Sequence, residues 1–130
     1  MPSPPAQSSA KMSKFLICQV ATGFTFHLHA ENGQPIAASE VYSARSGCLK
    51  GIEAVRRCAQ ANRVVDLTED APLPANPRME VYQDKRGAFR FRLRARNGKI
   101  IAISEGYASK SACLAGLESV IINSPGAETE

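Results

Sequence analysis

Phe24, Phe26, Leu28 and Ala30 alternate with Thr25, His27, His29 and Glu31, and the pattern returns where Phe89, Phe91, Leu93 and Ala95 alternate with Arg90, Arg92, Arg94 and Arg96. A period of two puts the apolar side chains on one face of extended chain, so each run reads as a half-buried β-strand. Asn32-Gly33 and Asn97-Gly98 follow the two runs. These pairs suit a two-residue type I′ hairpin turn, in which both central residues take positive φ. Each unit is therefore expected to fold back into a further strand, over residues 36 to 39 and 100 to 104. Pro35 has no N–H to give a ladder, which points to a sheet edge for the first of these. Shorter strand-like runs, residues 15 to 20 and 79 to 84, precede the pattern in each unit.

The period then changes. Cys48, Ile52, Val55 and Ala59, with Leu49 beside them, recur at helical spacing, as do Cys113, Leu117 and Val120 with Leu114. Amphipathic helices are expected over residues 46 to 60 and 111 to 123. Gly51 and Gly116 lie inside them, where glycine costs about 1 kcal/mol relative to alanine, and their recurrence implies a close approach of helix to sheet. Val64, Val65 and Leu67 mark one more short strand after the first helix. No such run follows the second, where the chain reads Asn-Ser-Pro-Gly-Ala-Glu-Thr-Glu.

The chain is thus a duplicated unit, and the match extends through Tyr42/Tyr107, Ser46/Ser111, Cys48/Cys113, Gly51/Gly116 and Glu53/Glu118. Residues 1 to 13, rich in Pro, Ser and Ala, read as a mobile tail. Module 1 covers residues 14 to 67, a turn-rich linker residues 68 to 77, module 2 residues 78 to 123, and a short tail residues 124 to 130. Neither module alone is large enough for a good core, so the two are expected to share one within a single domain.

The assembled pattern, F-x-F-x-L-x-A-x-N-G-x-x-I-A-x-S-E-x-Y followed by a basic residue and a helix with G-[IL]-E-x-V, repeated in tandem, resembles the YegP-like family of small bacterial proteins. The likeness covers residues 15 to 123. It implies an α+β fold: two tandem three-strand-plus-helix modules sharing one antiparallel sheet with helices packed on one face, each module lending its last strand to the other. The missing run after the second helix departs from that plan. The resemblance implies no catalytic residue and no cofactor.

The 130 residues carry 16 Lys and Arg against 12 Asp and Glu, a net charge of +4. The excess sits in the second half, with 9 against 6 in residues 71 to 130. No apolar run approaches the roughly 18 residues of a membrane span, and the first residues lack the apolar core of a signal peptide. Cys18, Cys48, Cys58 and Cys113 show no metal-ligand spacing and read as buried free thiols, in keeping with a reducing, cytoplasmic setting.

Candidate chemistry centres on Arg90, Arg92, Arg94 and Arg96, which period two sets in line with about 6.6 Å between successive side chains. Such a ladder, widened by Arg45, Lys99 and Lys110, can track an anionic backbone in the manner of single-strand DNA or RNA binders. Stacking aromatics are missing from that face, however, and charged residues on a solvated sheet face need no ligand. His27 and His29 form an H-x-H pair without a supporting third ligand, so no metal is assigned. Ser39-Glu40-x-Tyr42 and Ser104-Glu105-x-Tyr107 lack a neighbouring base and read as strand-to-helix corners rather than nucleophilic sites. Glu53 and Glu118 are candidates for a salt bridge across the module interface. The reading is a non-enzymatic binding or interaction module without a cofactor, its partner a protein or a second copy docked on a sheet face or edge. Nucleic-acid binding through the basic face of module 2 is the alternative.

Overall fold

The computed structural model describes residues 13–30 and 32–130. The expected tail lies outside the described residues except for Ser13, which is buried. Strands β1 (Lys14–Val20), β2 (Gly23–His29) and β3 (Pro35–Ala38), helix α1 (Arg45–Ala61) and strand β4 (Val64–Asp66) make the first module. The second repeats the order with β5 (Arg78–Gln83), β6 (Phe89–Arg94), β7 (Ile100–Ser104), helix α2 (Lys110–Asn123), a 3-10 turn (Ser124–Gly126) and β8 (Glu128–Thr129).

The eight strands form one sheet in the order β4-β5-β6-β7-β3-β2-β1-β8. The modules meet at β3 and β7, and each sends its last strand to the far edge of the other. The five inner pairings, which join β1, β2, β3, β5, β6 and β7, are antiparallel, but the two outermost, β4 on β5 and β8 on β1, are parallel. The expectation of a wholly antiparallel sheet is corrected to that extent. Residues 124 to 130 are likewise no free tail. Two residues of β8 suffice to close the exchange because the flanking chain also bonds: Ile17 N–H donates to Glu130 O (2.8 Å) and Glu130 N–H to Phe15 O (2.7 Å). No apolar run marks β8, since an edge strand of two exposed residues buries nothing.

The hairpins also depart from expectation. Gly33 and Gly98 take φ of +83° and +86°, whereas Asn62 is the one non-glycine residue with positive φ among the described residues. A type I′ turn would need positive φ at the Asn as well. Instead Gly98 N–H donates to Ala95 O (2.9 Å) and Ala95 N–H to Lys99 O (2.8 Å), with the same pattern from Ala30 to Gln34. That is a three-residue turn with glycine at its left-handed position, and Asn97 Oδ1 accepts from Lys99 N–H (3.0 Å) to brace it. The turn feeds a β-bulge. In β3, Ile36 and Ala37 together oppose Leu28, and in β7, Ile101 and Ala102 together oppose Leu93. Two adjacent residues then face the core, which explains why all four are buried. β3 is a central strand rather than an edge. Pro35 is tolerated because the pairing of β3 with β7 spans only Ala37 and Ala38, so its missing N–H interrupts no ladder there.

Both helices lie on one side of the sheet over a single apolar cluster built from Phe15, Phe26, Leu28, Met79, Phe91 and Leu93, capped by Ile52, Val55, Leu117 and Val120. Each such side chain stabilises the fold by about 1.5–3 kcal/mol when fully buried. α1 packs on β2 of its own module and on β5, β6 and β7 of the other, so the core belongs to neither half. Leu49 and Leu114 fall off the packed stripe and are exposed.

Gly51 and Gly116 meet the tyrosines of the corners. A Cβ on Gly51 would stand 2.5 Å from Tyr42 Oη and 2.9 Å from Phe26 Cε2, and one on Gly116 would overlap Tyr107 Oη and lie 2.8 Å from its Cζ. Tyr42 and Tyr107 in turn stack on Phe26 and Phe91, with centroids 6.2 and 6.4 Å apart. The close approach expected of these glycines is therefore to a tyrosine wedged between helix and strand. Gly116→Ala should destabilise the chain by about 1–3 kcal/mol through overpacking, despite the better helix propensity of alanine. Urea unfolding measures this, and part of the loss should return in Gly116→Ala/Tyr107→Phe. A single variant as stable as the parent would mean that Tyr107 is loosely held.

Candidate functional site

The side of the sheet away from the helices is open, and its cross-strand register defines a row of neighbours: Val65, Glu80, Arg92, Ile103, Ala38, His27 and Leu16. The half contributed by module 2 is charged and the seam between modules is apolar.

The arginine ladder lies on this face but is not free. Glu80, on β5, has a side chain only 2% exposed and is ringed by Arg78 Nε (2.7 Å), Arg92 Nε (2.7 Å) and Arg94 Nε (2.9 Å). Arg92 also lies over the Tyr82 ring at 4.5 Å, and Arg94 Nη1 donates to Gly98 O (2.9 Å). Arg90 bonds Asp84 Oδ2 (2.8 Å) and Ser104 O (2.9 Å). Asp84 is held in place by the turn it caps, its Oδ1 accepting from the N–H groups of Arg86 and Ala88. Burial would raise the Glu80 carboxyl, but hydrogen bonds from Arg92, Arg78 and Arg94 outweigh it and hold the group at about 2. The carboxylate is thus charged at neutral pH.

The remaining predicted members of the basic patch scatter. Arg96 lies past the end of β6, in the turn, and Lys99 is exposed beyond it. Arg45 and Lys110 open the two helices, on the opposite side of the sheet, and Lys110 Nζ is bound to Asp66 Oδ2 (2.7 Å) and Glu69 Oε2 (3.3 Å). The sequence placed Arg90, Arg92 and Arg94 correctly on one face. It gave no sign that Glu80, whose counterpart in module 1 is Leu16, would sit among them, because only the pairing of β5 with β6 brings Glu80 opposite Arg92.

Along the seam of β3 and β7 runs a groove of about 620 Å³, with Pro35, Ala38, Ile100 and Ile103 exposing apolar surface between His27 and Arg90. Ile103 is 39% exposed. His27 and His29 pack edge to face with centroids 6.4 Å apart, and no group of three or more His, Cys, Asp or Glu that could hold a metal occurs among the described residues.

The other candidates are structural in their contacts. Ser39 and Ser104 each accept the N–H of Phe26 and Phe91 (2.9 Å both) and donate to the next residue's carbonyl (2.8 Å both), tying the corner to the neighbouring strand. Burial pushes the Tyr42 and Tyr107 phenols up. Glu53 pairs with Arg56 of its own helix, and it is Arg56 that crosses the module interface, donating to Ala127 O (2.7 Å) and Ser124 O (3.4 Å). Cys48, Cys58 and Cys113 are buried free thiols as expected, and burial pushes Cys58 up to about 12 and Cys113 to about 11. Cys18 is exposed instead, since β1 turns it toward the open face opposite Thr25.

Comparison with known proteins places this architecture. The family model described as Domain of unknown function (DUF1508) matches twice, over residues 20–66 and 84–130. A UPF0339 protein of Pseudomonas aeruginosa is 37% identical over 109 residues, 83% of this chain and 86% of that protein. A UPF0339 protein of Methanosarcina acetivorans is 56% identical over 50 residues, 38% of this chain but 86% of that protein, so that relative is little longer than one module. The solution structure of the protein of unknown function yegP from E. coli superposes with a TM-score of 0.76 at 27% identity, covering 92% of both chains. That of a UPF0339 protein from Shewanella oneidensis gives 0.74 at 26%, covering 92% of this chain and 90% of the other. With both modules matched and the eight-stranded plan shared, the chain belongs to the DUF1508 family, whose function is unknown, and within it to the YegP-like proteins with two modules in tandem.

Proposed function

We propose that the chain is a non-enzymatic interaction module whose open sheet face holds an acidic, partly apolar segment of a partner protein. The observation that carries this reading is the apolar groove along the β3–β7 seam, whose wall also carries Glu40 and Glu105, flanked by a module 2 face where Arg78, Arg90, Arg92 and Arg94 outnumber Glu80 and Asp84. An apolar floor anchors aliphatic side chains, and the two excess positive charges of the module 2 face favour carboxylates on that side. A protein partner suits this face better than a nucleic acid. Its floor is aliphatic where base stacking needs aromatic rings, and the Tyr82 ring beside the ladder is already covered by Arg92. Free buried thiols support a reducing compartment such as the cytoplasm, and no helix among the described residues is long and apolar enough to cross a membrane.

The test is fluorescence anisotropy with a labelled peptide alternating leucine and glutamate, run beside labelled single-stranded DNA. The peptide is expected to bind the parent chain, and Ile103→Glu is expected to weaken it by at least ~10-fold, the effect of losing one buried apolar anchor to a charge. Peptide binding untouched by Ile103→Glu would remove the groove from the site. Tighter binding of DNA than of peptide, fading steeply with salt, would replace this reading with the nucleic-acid one.

A further inference from the structure

A second cavity, of about 530 Å³, opens where the end of α1, the Asn76-Pro77 segment and the β6–β7 turn converge. Three arginines line it, Arg57, Arg63 and Arg96, and its wall includes no carboxylate. This sets it apart from every other arginine cluster in the chain. Arg56, Arg78, Arg90, Arg92 and Arg94 each pair with an acidic side chain. Arg57 and Arg96 make neither hydrogen bond nor ion pair with the described residues. Arg63 directs Nη1 to Asn76 O (3.0 Å) and Pro77 O (3.5 Å), which fixes its position and leaves its other donors open.

Arg57 lies one turn before the C-terminal end of α1 and Arg63 just beyond its cap, so neither stands in the last turn where a cation complements the helix dipole. Arg96 comes from a separate hairpin, and the three are left without an acidic partner among the described residues. Asn97 adds a neutral donor, because its Oδ1 is committed to Lys99 N–H and its Nδ2 is therefore the free end of the amide. Three forked cations with a neighbouring amide in a concave site match a compact dianion, since guanidinium binds phosphate oxygens in pairs. The volume is that of a small-molecule site.

We propose that this cavity binds a small phosphomonoester, with Arg57, Arg63 and Arg96 on the phosphate and Asn97 on the remainder of the ligand. The proposal is independent of the open sheet face.

Amide chemical shifts of the full chain, followed by NMR at low ionic strength during titration with inorganic phosphate and with glycerol 3-phosphate, test it. The expected result is saturable shifts at residues 57, 63, 76 and 96 to 98, with glycerol 3-phosphate binding more tightly than phosphate. Arg57→Gln/Arg96→Gln should lose affinity by ~10-fold or more while melting at the parent temperature without ligand, because neither side chain holds the fold. Arg63 is kept in this variant since it braces the turn. Linear, unsaturating shifts, or binding undiminished in the double variant, would overturn the site. Equal affinity for the two probes would overturn the ester and leave free phosphate as the ligand.

Discussion

Glu80→Ala is expected to lower the stability of the chain by about 3 kcal/mol at neutral pH, the range for removing one partner from a buried charge cluster. The carboxylate is the common counter-ion of Arg78, Arg92 and Arg94, so its loss leaves three guanidinium groups crowded on two adjacent strands with nothing between them. The same residue sets an acid limit. Folding depresses its carboxyl from the ordinary 4.5 to about 2, so the unfolded chain binds the proton first. The stabilisation is complete above about pH 4.5 and is lost as pH falls toward 2, and a depression of that size corresponds to about 3 kcal/mol. Urea unfolding at a series of pH values measures both effects. The parent should lose stability steeply over that window, and Glu80→Gln, already weakened at pH 7, should lose much less. A parallel fall in the two proteins would show that other carboxylates govern acid unfolding and that the Glu80 cluster is energetically minor.

The second large effect concerns the modules. A fragment of residues 13 to 71 should not be a stable folded monomer; it should be a dimer whose melting temperature rises with concentration. β4 lies against β5 of the other module, and only Asn62 and Arg63 separate it from α1, which itself ends over the other module's strands. So short a link leaves β4 no route back to β1. In a pair of fragments, each β4 can take the β1 of its neighbour, as β1 is the counterpart of β5. The one-module length of the Methanosarcina acetivorans relative fits a module that completes itself through a second copy. Sedimentation with circular dichroism decides the matter. A fragment that is helical, monomeric and melts at one temperature at all concentrations would mean that strand exchange is dispensable.

How far these features could be read from the residues depends on what each leaves in the pattern. The duplication, seven of the eight strands and both helices within a residue or two follow from alternation and helical spacing, because a half-buried strand and an amphipathic helix must write their faces into the chain. β8 buries no side chain of its own, so Glu128 and Thr129 carry no pattern to read. The hairpins show the limit of local rules: Asn-Gly fits two turn types, and the bulge at Ile36-Ala37 decided which one formed. The ladder was visible as Arg90, Arg92 and Arg94, but its neutralisation was not, since Glu80 is 12 residues from Arg92 in sequence and adjacent to it only across a strand pair. The cavity lined by Arg57, Arg63 and Arg96 gathers three distant segments, which no spacing along the chain records.

The exchange of edge strands also orders events in time. Lys14 pairs with Glu128 and Phe15 with Thr129, so β1, on emerging from the ribosome, waits for residues made more than a hundred positions later. Module 1 cannot close as it is synthesised, and its seam and the edge of β1 stay exposed until module 2 is in place. Contacts of such long range fold slowly and leave strand edges open to other chains meanwhile. The chain should therefore acquire its native structure late, in one step shared by both modules, and a nascent chain halted before β8 is the form most in need of protection from its neighbours.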